Sequence, residues 1–386
     1  MGIFHYLFWT SLLALAYTYF GYMLVLFVLV QFKKNKKITP SEILKDVTII
    51  VPAYNEEFVL KNKIDNCLEL DYAFGEIKIV FCIDGSTDNS LEILQKYPQF
   101  KIHFSNIRKG KMSAINYAMQ EVNTQFVVFS DANTLLHKNS ITELVKHFNN
   151  KKIGAIAGEK RVLFKNNTIV GLGEGYYWKY ESFLKSLNSK LYSVVGAAGE
   201  LFCMRAELFT VLPEDTILDD FMLSMEVIKK GYQVVYEPKA IATEAPSKNI
   251  EEEAKRRIRI AAGSFQSLIT LLGSFPFFKY PIFSFQFFSQ KFCRWVIAPL
   301  ALVILLVTSV FLYSNETSFI QYFSIVQFLF YSMAFIGLIL NKLERRNFIL
   351  FSIPYYFVFM HISLIFGFIK FCKGKQSTHW DKSIRT

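Results

Sequence analysis

Long apolar runs at both ends of this 386-residue chain limit the folds that it can adopt. The first run, residues 3–30, contains no Asp, Glu, Lys or Arg. In a helix that rises about 1.5 Å per residue, it exceeds the roughly 30 Å hydrocarbon core of a bilayer. Three more predominantly apolar runs of spanning length lie at residues 295–313, 319–340 and 348–371. We therefore expect transmembrane helices on both sides of a more polar central part.

The first run has two interpretations, a cleaved signal peptide and a retained anchor. The anchor, residues 1–32, is favoured because no Lys or Arg precedes the run and apolar residues continue past the small-residue triplet 14–16. The lysines that follow it indicate the cytoplasmic side of a membrane; they are Lys33, Lys34, Lys36 and Lys37. We therefore expect a multi-pass protein of the cell membrane with its central domain, residues 45–270, in the cytoplasm.

The last third of the chain has two possible membrane topologies. Residues 271–290 are rich in aromatic residues and interrupted by Pro276 and Pro281, which predicts a segment lying in the membrane interface. Residues 291–371 are expected to form transmembrane helices, and residues 372–386 a basic tail. Three crossings would place that tail outside, against the tendency of basic segments to stay inside. The alternative that one segment is re-entrant or interfacial therefore stays open.

Charge and cysteine usage narrow the range of partners. A net charge of +11 fits either the anionic surface of a bilayer or an anionic substrate such as a nucleotide. No basic stripe with interleaved aromatic residues is present, so we expect no nucleic-acid partner. The five cysteines are scattered and never paired as CxxC, which indicates a reducing compartment and argues against a structural metal site.

The central domain alternates between short β-like runs and segments with helical periodicity. Predicted strands cover residues 47–51, 78–83, 101–104, 126–130, 155–162 and 233–236. Predicted helices cover residues 57–70, 90–97, 111–122, 140–148, 176–187 and 221–230. A βαβα order of this kind predicts an α/β domain with a parallel sheet.

Aspartates follow apolar runs at three places in this domain. Asp84 follows residues 80–83, Asp131 follows residues 126–130, and the pair Asp219 and Asp220 follows residues 217–218. Open α/β sheets bind ligands at the carboxyl ends of their strands, so three such acids predict one cleft.

Each of these acids also has a structural interpretation. Asp84 with Gly85 forms a common turn dipeptide, and the triplet Asp131-Ala132-Asn133 fits an Asx turn as well as a site for Mg²⁺ or Mn²⁺. Asp219 and Asp220 fit either a helix cap or a general base. Lys111, at the start of a predicted helix, fits phosphate binding or a solvated basic turn.

Seven motifs in order give the chain a recognisable resemblance. They are VPAYNE, IDGSTDNS, KGKMSAIN, SDAN, GAAGELFCMR, LDDFML and KRRIRIAAGSFQS. Together, over roughly residues 47–268, they resemble the membrane-bound, processive-type inverting glycosyltransferases of family 2, which include hyaluronan, chitin, cellulose and poly-N-acetylglucosamine synthases. The resemblance implies a GT-A-like nucleotide-sugar-binding fold, with a mixed and mainly parallel sheet, and a divalent cation, Mg²⁺ or Mn²⁺.

The same resemblance implies roles for particular residues. The residues expected to contact the nucleoside are Ala53, Tyr54, Glu56 and Asp84. Lys111 is expected at the diphosphate, Asp131 at the nucleotide and the metal, and Asp220, beside Asp219, as the catalytic base. Arg256 and Arg259 match the arginines of an acceptor motif and suit the leaving diphosphate.

Two positions depart from the family's pattern. Asn133 replaces the second acid of the usual D-x-D metal motif, so it supplies an oxygen ligand but no charge. Ile260 replaces a tryptophan that resembles part of the acceptor platform in processive enzymes. We expect transfer of a sugar from a nucleotide-sugar, with UDP as the expected nucleotide, to a hydroxyl of a growing glycan. Two alternatives stay open: transfer of one sugar to a lipid-linked acceptor, and a nucleotide sensor that has lost catalysis.

Overall fold

The fold is seen in a computed structural model of the chain. It describes residues 2–33, 45–163, 169–247, 249–314, 318–343 and 348–374. Lys34, Lys36, Lys37 and most of the predicted basic tail, residues 375–386, lie outside the described residues.

The central domain is built on one sheet, which has eight strands in the described part of the chain. The strands are β1 (Val47–Ala53), β2 (Ile77–Asp84), β3 (Lys101–Ser105), β4 (Phe126–Phe129), β5 (Thr134–Leu136), β6 (Ile153–Val162), β7 (Phe202–Arg205) and β8 (Gln233–Glu244). Their order is β3-β2-β1-β4-β7-β6-β8-β5. The half β3-β2-β1-β4 is parallel, β6 and β8 are also parallel, and β7 and β5 pair antiparallel with their neighbours. The predicted mixed, mainly parallel sheet is confirmed.

Helices cover both faces of this sheet. They are α3 (Glu57–Leu68), α4 (Ser90–Gln95), α5 (Lys111–Met119), α6 (Ser140–Val145), α7 (Ile169–Leu191), α8 (Asp219–Lys229) and α9 (Ile250–Ser274), after α1 (Gly2–Ala16) and α2 (Tyr22–Gln31) at the N terminus. Each face of the sheet has its own hydrophobic core, and alternate residues of β1 point into different ones. Ile50 packs in the core that includes α5 and α8, whereas Ile49 and Val51 pack in the core that includes α3 and α6. Every residue of β1 is buried, as expected for a strand covered on both faces.

Four helices in the described residues are long and apolar enough to cross a membrane. They cover Gly2–Gln31, Pro281–Leu312, Phe319–Lys342 and Ile349–Cys372. The first and second contain π-helical turns at Tyr17–Gly21 and Phe288–Ile297.

The second long helix begins earlier than the sequence indicated. It runs from Pro281 through α10 (Pro281–Phe287), the π-helical turns and α11 (Ala298–Leu312), whereas we predicted a span only from residue 295. Pro281 stands at the first helical position, where a proline fits because that position needs no amide donor. Residues 271–290 are therefore not one element: they divide between the end of α9, a short 3₁₀ turn and this helix.

The central domain packs directly against the apolar helices. Helix α9 lies along α13 (Ile349–Cys372), which follows α12 (Ser318–Lys342). The two helices approach closely at Gly367, where an added Cβ would collide with the Cβ of Ala261. Arg257 of α9 also donates a 2.8 Å hydrogen bond to the hydroxyl of Tyr356. The position of α9 therefore depends on the last apolar helix.

Candidate active site

Two loops at the carboxyl ends of β1 and β2 are joined by hydrogen bonds. The amides of Asn55, Glu56 and Glu57 donate to the side chains of Ser86, Ser90 and Asp88, each at 3.0 Å. Asn55 has a positive φ of 53°, a left-handed conformation that asparagine tolerates better than most residues. This network holds Glu56, which is buried, at the edge of the sheet.

Asp84 organises the loop that leads into α5. Its carboxylate oxygens accept hydrogen bonds from the amides of Lys109 at 2.8 Å and Gly110 at 2.7 Å. The next residue, Gly85, has φ +64°, and a Cβ there would lie 2.5 Å from the amide nitrogen of Arg108. The guanidinium of Arg108 in turn stacks 3.7 Å from the ring centre of Tyr54. Asp84 therefore fixes the position of the residue that follows this loop, which is Lys111.

Lys111 joins two of the predicted acidic positions. Its Nζ lies 3.0 Å from Oδ1 of Asp131 and 3.1 Å from Oδ2 of Asp219. Burial would lower the pKa of this lysine, but Asp131, Asp219 and Asp220 together raise it above its usual value. The sheet edge and the start of α8 are therefore connected through one ammonium group.

Asp220 is the acid with the most perturbed protonation. Burial, followed by the charge of neighbouring Asp219, raises the pKa of Asp220 to about 7, although Lys111 acts in the opposite direction. Gly199 approaches it closely: a Cβ there would lie 3.5 Å from Oδ2 of Asp220 and 3.3 Å from Nζ of Lys111. A carboxyl group with a pKa near neutrality can accept a proton at physiological pH and release it again.

A buried lysine that the sequence analysis missed supports the loop after β4. Lys63 of α3 is fully buried and donates to Oγ of Ser130 at 2.8 Å and to the carbonyl of Thr134 at 2.7 Å. These two bonds bracket the segment that carries Asp131 and Asn133. The sequence does hold an indication of this role, because Lys63 lies on the apolar face of α3 with Leu60 and Ile64, which are also buried. A lysine is rarely buried unless it has a partner.

Arg256 and Arg259 reach the same region from α9. Burial and the nearby Arg256 lower the pKa of Arg259, while Asp219, Asp131 and Asp220 act to raise it. Arg256, unlike Arg259, pairs with two glutamates: its guanidinium lies 3.8 Å from Glu200 and 3.6 Å from Glu244. Buried Lys160 pairs with the same two glutamates. That network, which the sequence analysis did not foresee, holds the residue after Gly199 against α9.

These groups open into one cleft of about 790 Å³. Eight of the predicted site residues line it: Glu56, Lys111, Asp131, Asn133, Asp219, Asp220, Arg256 and Arg259. Ala53, Tyr54 and Asp84 do not line it, and Asp84 instead borders a smaller cavity of about 470 Å³ next to Lys109. The structure thus brings the diphosphate, metal and base candidates together with Glu56, whereas the other three nucleoside candidates do not line this cleft.

A comparison with known protein families identifies the central domain. Residues 48–212 match the sequence profile of Glycosyl transferase family 2. The chain carries a family 2 glycosyltransferase domain. This is the family that the seven motifs resemble, so the resemblance is confirmed for this domain.

Similar proteins extend the comparison beyond this domain. The poly-beta-1,6-N-acetyl-D-glucosamine synthase of Staphylococcus epidermidis is 25% identical over 238 residues, covering 58% of this chain and 55% of the relative. The enzyme of that name from Staphylococcus aureus strain COL is 25% identical over 252 residues, covering 62% and 60%. The chain therefore matches a little more than half the length of these relatives.

A solved structure shows the same fold over nearly the whole chain. It is a mannosyltransferase from Pyrobaculum calidifontis in complex with GDP-Man and Mn²⁺, with a TM-score of 0.71 and 22% identity. The match covers 96% of this chain and 99% of that protein. The predicted GT-A-like domain flanked by apolar helices is confirmed as a fold.

The family 2 domain offers oxygen ligands for a divalent cation but not a complete set. Asp131 and Asn133 both line the cleft, and their carboxylate and amide oxygens suit Mg²⁺ or Mn²⁺. Within the described residues, no group of three or more His, Cys, Asp or Glu is arranged to hold a metal. The Lys111 ammonium between Asp131 and Asp219 shows that this place stabilises positive charge. The residues present therefore fit a cation that shares its coordination with a substrate diphosphate.

One wall of the cleft was absent from the sequence analysis. It combines Trp178, Glu181 and Lys185 of α7 with Lys291 and Trp295 of the π-helical turns. The sequence feature that indicates this wall is a pair of basic residues, Lys291 and Arg294, inside an otherwise apolar and aromatic stretch. Basic residues inside such a stretch face protein or a cavity more often than lipid.

Proposed function

We propose that this chain is a membrane-bound inverting glycosyltransferase that moves a sugar from a nucleotide-sugar to a hydroxyl of a growing glycan. The observation that carries the proposal is the position of Asp220, an acid with a pKa raised to about 7, in the same cleft as the Lys111–Asp131 pair. The names of the staphylococcal relatives, which are synthases of an N-acetylglucosamine polymer, support a glycan product.

Different residues of the cleft accept the proton and stabilise the leaving group. Asp220 accepts the proton of the acceptor hydroxyl while that oxygen forms a bond to the anomeric carbon of the donor. The bond from that carbon to the nucleoside diphosphate breaks, and the diphosphate departs with the bonding electrons. Lys111 and Arg259 stabilise its negative charge by electrostatic contacts that exist before the reaction. A single displacement of this kind inverts the anomeric centre.

The donor's nucleoside is expected at the rim formed by β1 and β2. Tyr54 with its stacked Arg108 offers an aromatic surface, and Glu56 offers a carboxylate for hydroxyl groups. Asp84 contributes by holding the loop of Lys109 and Gly110. Ala53 ends β1 beside these groups.

The divalent cation would be held by Asp131 and Asn133. When bound, it would neutralise part of the charge on the donor's diphosphate, and the solved mannosyltransferase that shares this fold contains Mn²⁺ with GDP-Man. Mg²⁺ and Mn²⁺ are both suited to these oxygen ligands.

The catalytic domain is proposed to lie in the cytoplasm, where nucleotide-sugars are available. Lys33 follows the first apolar helix, and basic residues favour that side. Lys370, in the last turn of α13, lines the same cleft as Asp220. The end of α13 therefore lies beside the catalytic domain, which supports the alternative that one C-terminal segment does not cross the bilayer in simple alternation.

Product analysis tests the proposed function. Purified full-length protein in lipid would receive labelled nucleotide-sugars one at a time, with Mg²⁺ or Mn²⁺, with and without a lipid-linked acceptor. Polymer formed without added acceptor supports glycan synthesis, whereas one sugar on the lipid supports the single-transfer alternative. Nucleotide binding with no transfer from any donor would overturn the proposal in favour of a sensor.

The raised pKa of Asp220 predicts how transfer depends on pH. Because the base must be ionised, kcat should fall as the pH drops below about 7. Asp219→Asn removes the neighbouring charge that raises this pKa. The fall of kcat on the acidic side of the profile, its acidic limb, should therefore begin at a lower pH. The measurement is a kcat profile from pH 5 to 9 at saturating substrates, within the range where most proteins stay folded.

A matched variant on the same helix shows whether removing a carboxylate elsewhere on α8 also changes the pH profile. Glu226→Gln alters a residue of α8 that pairs with Lys229 at 3.4 Å, and it should leave the profile unchanged. An acidic limb that stays in place in Asp219→Asn, or moves to higher pH, would contradict the assignment of that limb to Asp220.

A further inference from the structure

The cleft continues past Asp220 toward the second long apolar helix. Phe221, the residue after Asp220, makes an edge contact with Trp295, with ring centres 5.5 Å apart. Trp295 and Lys291 both belong to the π-helical turns of that helix and line the cleft. The inner end of the site is therefore built partly from a helix long and apolar enough to cross a membrane. π-helical turns occur often at functional sites.

This inner end carries an excess of positive charge. Arg294 forms an ion pair with Glu181, which is buried on α7. Lys185 and Lys291 are close enough to the same carboxylate to act on it: burial would raise the pKa of Glu181, but Arg294, Lys291 and Lys185 lower it to about 2. Three cations thus act on Glu181, and the other carboxylate that acts on Lys291 is Asp220. Buried charge of one sign requires a counter-charge.

Neither of the two lysines has an ion-pair partner within the described part of the chain. Lys185 is buried, with its Nζ 5.4 Å from the ring centre of Trp178, and Nζ of Lys291 lies 5.8 Å from the ring centre of Trp295. Two ammonium groups against indole rings are stabilised, but their hydrogen-bonding capacity remains available to a ligand.

The donor's diphosphate does not require these lysines. It is accounted for by Lys111, whose Nζ lies 3.0 Å from Asp131, and by Arg259, on which the charge of Asp131 also acts. We assign an anion at the inner end to the second substrate, because Lys291 and Trp295 belong to a helix long and apolar enough to cross a membrane.

We propose that Lys185 and Lys291, flanked by Trp178 and Trp295, bind a phosphate group on an acceptor that enters the cleft from the bilayer. This inference rests on the proposed glycosyl transfer and names the class of its acceptor: an amphiphile whose phosphate is held here while its attacking hydroxyl meets Asp220. The aromatic rings accommodate the apolar portion next to the phosphate, and the lysines provide charge-assisted hydrogen bonds.

The test uses the full-length protein in a neutral detergent and calorimetric titration with three probes: dodecyl phosphate, dodecanol and inorganic phosphate. We expect dodecyl phosphate to bind at least tenfold more tightly than either of the others. Lys185→Gln and Lys291→Gln should each weaken its binding about tenfold or more, whereas Lys291→Arg, which keeps the positive charge, should retain most of it. Lys190→Gln, which changes an exposed lysine on the same helix as Lys185, should have no effect.

The inference is overturned if dodecanol binds as tightly as dodecyl phosphate, or if Lys190→Gln weakens binding as much as the other two variants. Inorganic phosphate binding as tightly as dodecyl phosphate would overturn the bilayer origin of the ligand. Size-exclusion chromatography and circular dichroism show whether each variant is folded, and a separate titration with UDP and GDP measures nucleotide binding. Equal losses of UDP or GDP binding in Lys185→Gln and Lys291→Gln would assign the lysines to the donor and overturn the inference.

The same titrations separate this inference from the proposed function. Wild-type protein that binds a nucleoside diphosphate and transfers sugar but does not distinguish dodecyl phosphate from dodecanol overturns only the inference. Protein that binds dodecyl phosphate through Lys185 and Lys291 but transfers sugar from no donor overturns the proposed function.

Discussion

Asp220→Asn is expected to lower kcat for sugar transfer by about a hundred- to ten-thousand-fold, the usual contribution of a general base. The substitution keeps the size of the side chain but removes its ability to accept the proton of the acceptor hydroxyl. Binding of the nucleoside diphosphate should be unchanged or slightly stronger, because one negative charge near Lys111 and Arg259 is lost. Single-turnover transfer and calorimetric binding of the nucleoside diphosphate measure the two effects separately.

Asp215→Asn is the matched control for this variant. It makes the same chemical change at an exposed residue five positions earlier, whose main-chain carbonyl contacts Gln266 at 2.9 Å but whose side chain does not line the cleft. Its kcat should equal that of the wild type. Full transfer activity in folded Asp220→Asn would remove Asp220 from the base position and with it the observation that supports the proposed function most directly.

The second large effect is expected at Asp131. Asp131→Asn leaves two neutral amides, at 131 and 133, as the proposed ligands of the cation, so neither ligand supplies a charge to attract it. Stabilisation of the leaving diphosphate should weaken, and kcat/KM should fall about a hundred- to a thousand-fold, as for other preorganised electrostatic contacts. The concentration of Mn²⁺ needed for half-maximal nucleotide binding should rise at least tenfold.

Asn133→Asp provides the opposite change at the same site. It adds a carboxylate beside Asp131, so nucleotide binding should reach half-maximum at a lower Mn²⁺ concentration than in the wild type. Asn139→Asp, on the exposed start of α6, makes the same substitution outside the cleft and should not shift the Mn²⁺ dependence. A metal dependence that is identical in all four proteins would show that no cation is held at Asp131 and Asn133.

The alternating elements were predictable because their signals are local. The first strand and helix were predicted at residues 47–51 and 57–70, close to the observed Val47–Ala53 and Glu57–Leu68. Two strands were missed: β5 has three residues, and β7 is a four-residue strand that pairs antiparallel with β4 and β6. A three-residue strand carries too few positions for a periodic pattern. β7 is as long as β4, which was predicted, and its existence depends on the neighbours with which it pairs.

The acids of the site could be named from the sequence, but their environment could not. Apolar runs ending in Asp84 and Asp131 indicated a sheet edge, and Asp220 was recognised through its motif. The pKa of Asp220 depends on burial and on Asp219, Lys111 and Glu200, which come from three separate segments. Asp84 illustrates the same limit: its motif implied a nucleoside contact, whereas in the structure its carboxylate is bonded to the loop before Lys111.

The sequence by itself determined the sheet-and-helix order, the apolar helices and the identity of the acids, because hydrophobic periodicity and short motifs are properties of neighbouring residues. The tertiary structure alone decided that Lys111 joins Asp131 to Asp219, and that Lys185 and Lys291 meet across the inner end of the cleft. Those pairs are separated by up to about a hundred residues along the chain. Lys111 meets the two acids because α5 and α8 pack in one core beside the sheet, and Lys185 meets Lys291 because α7 packs against the apolar helices. No local pattern records either arrangement.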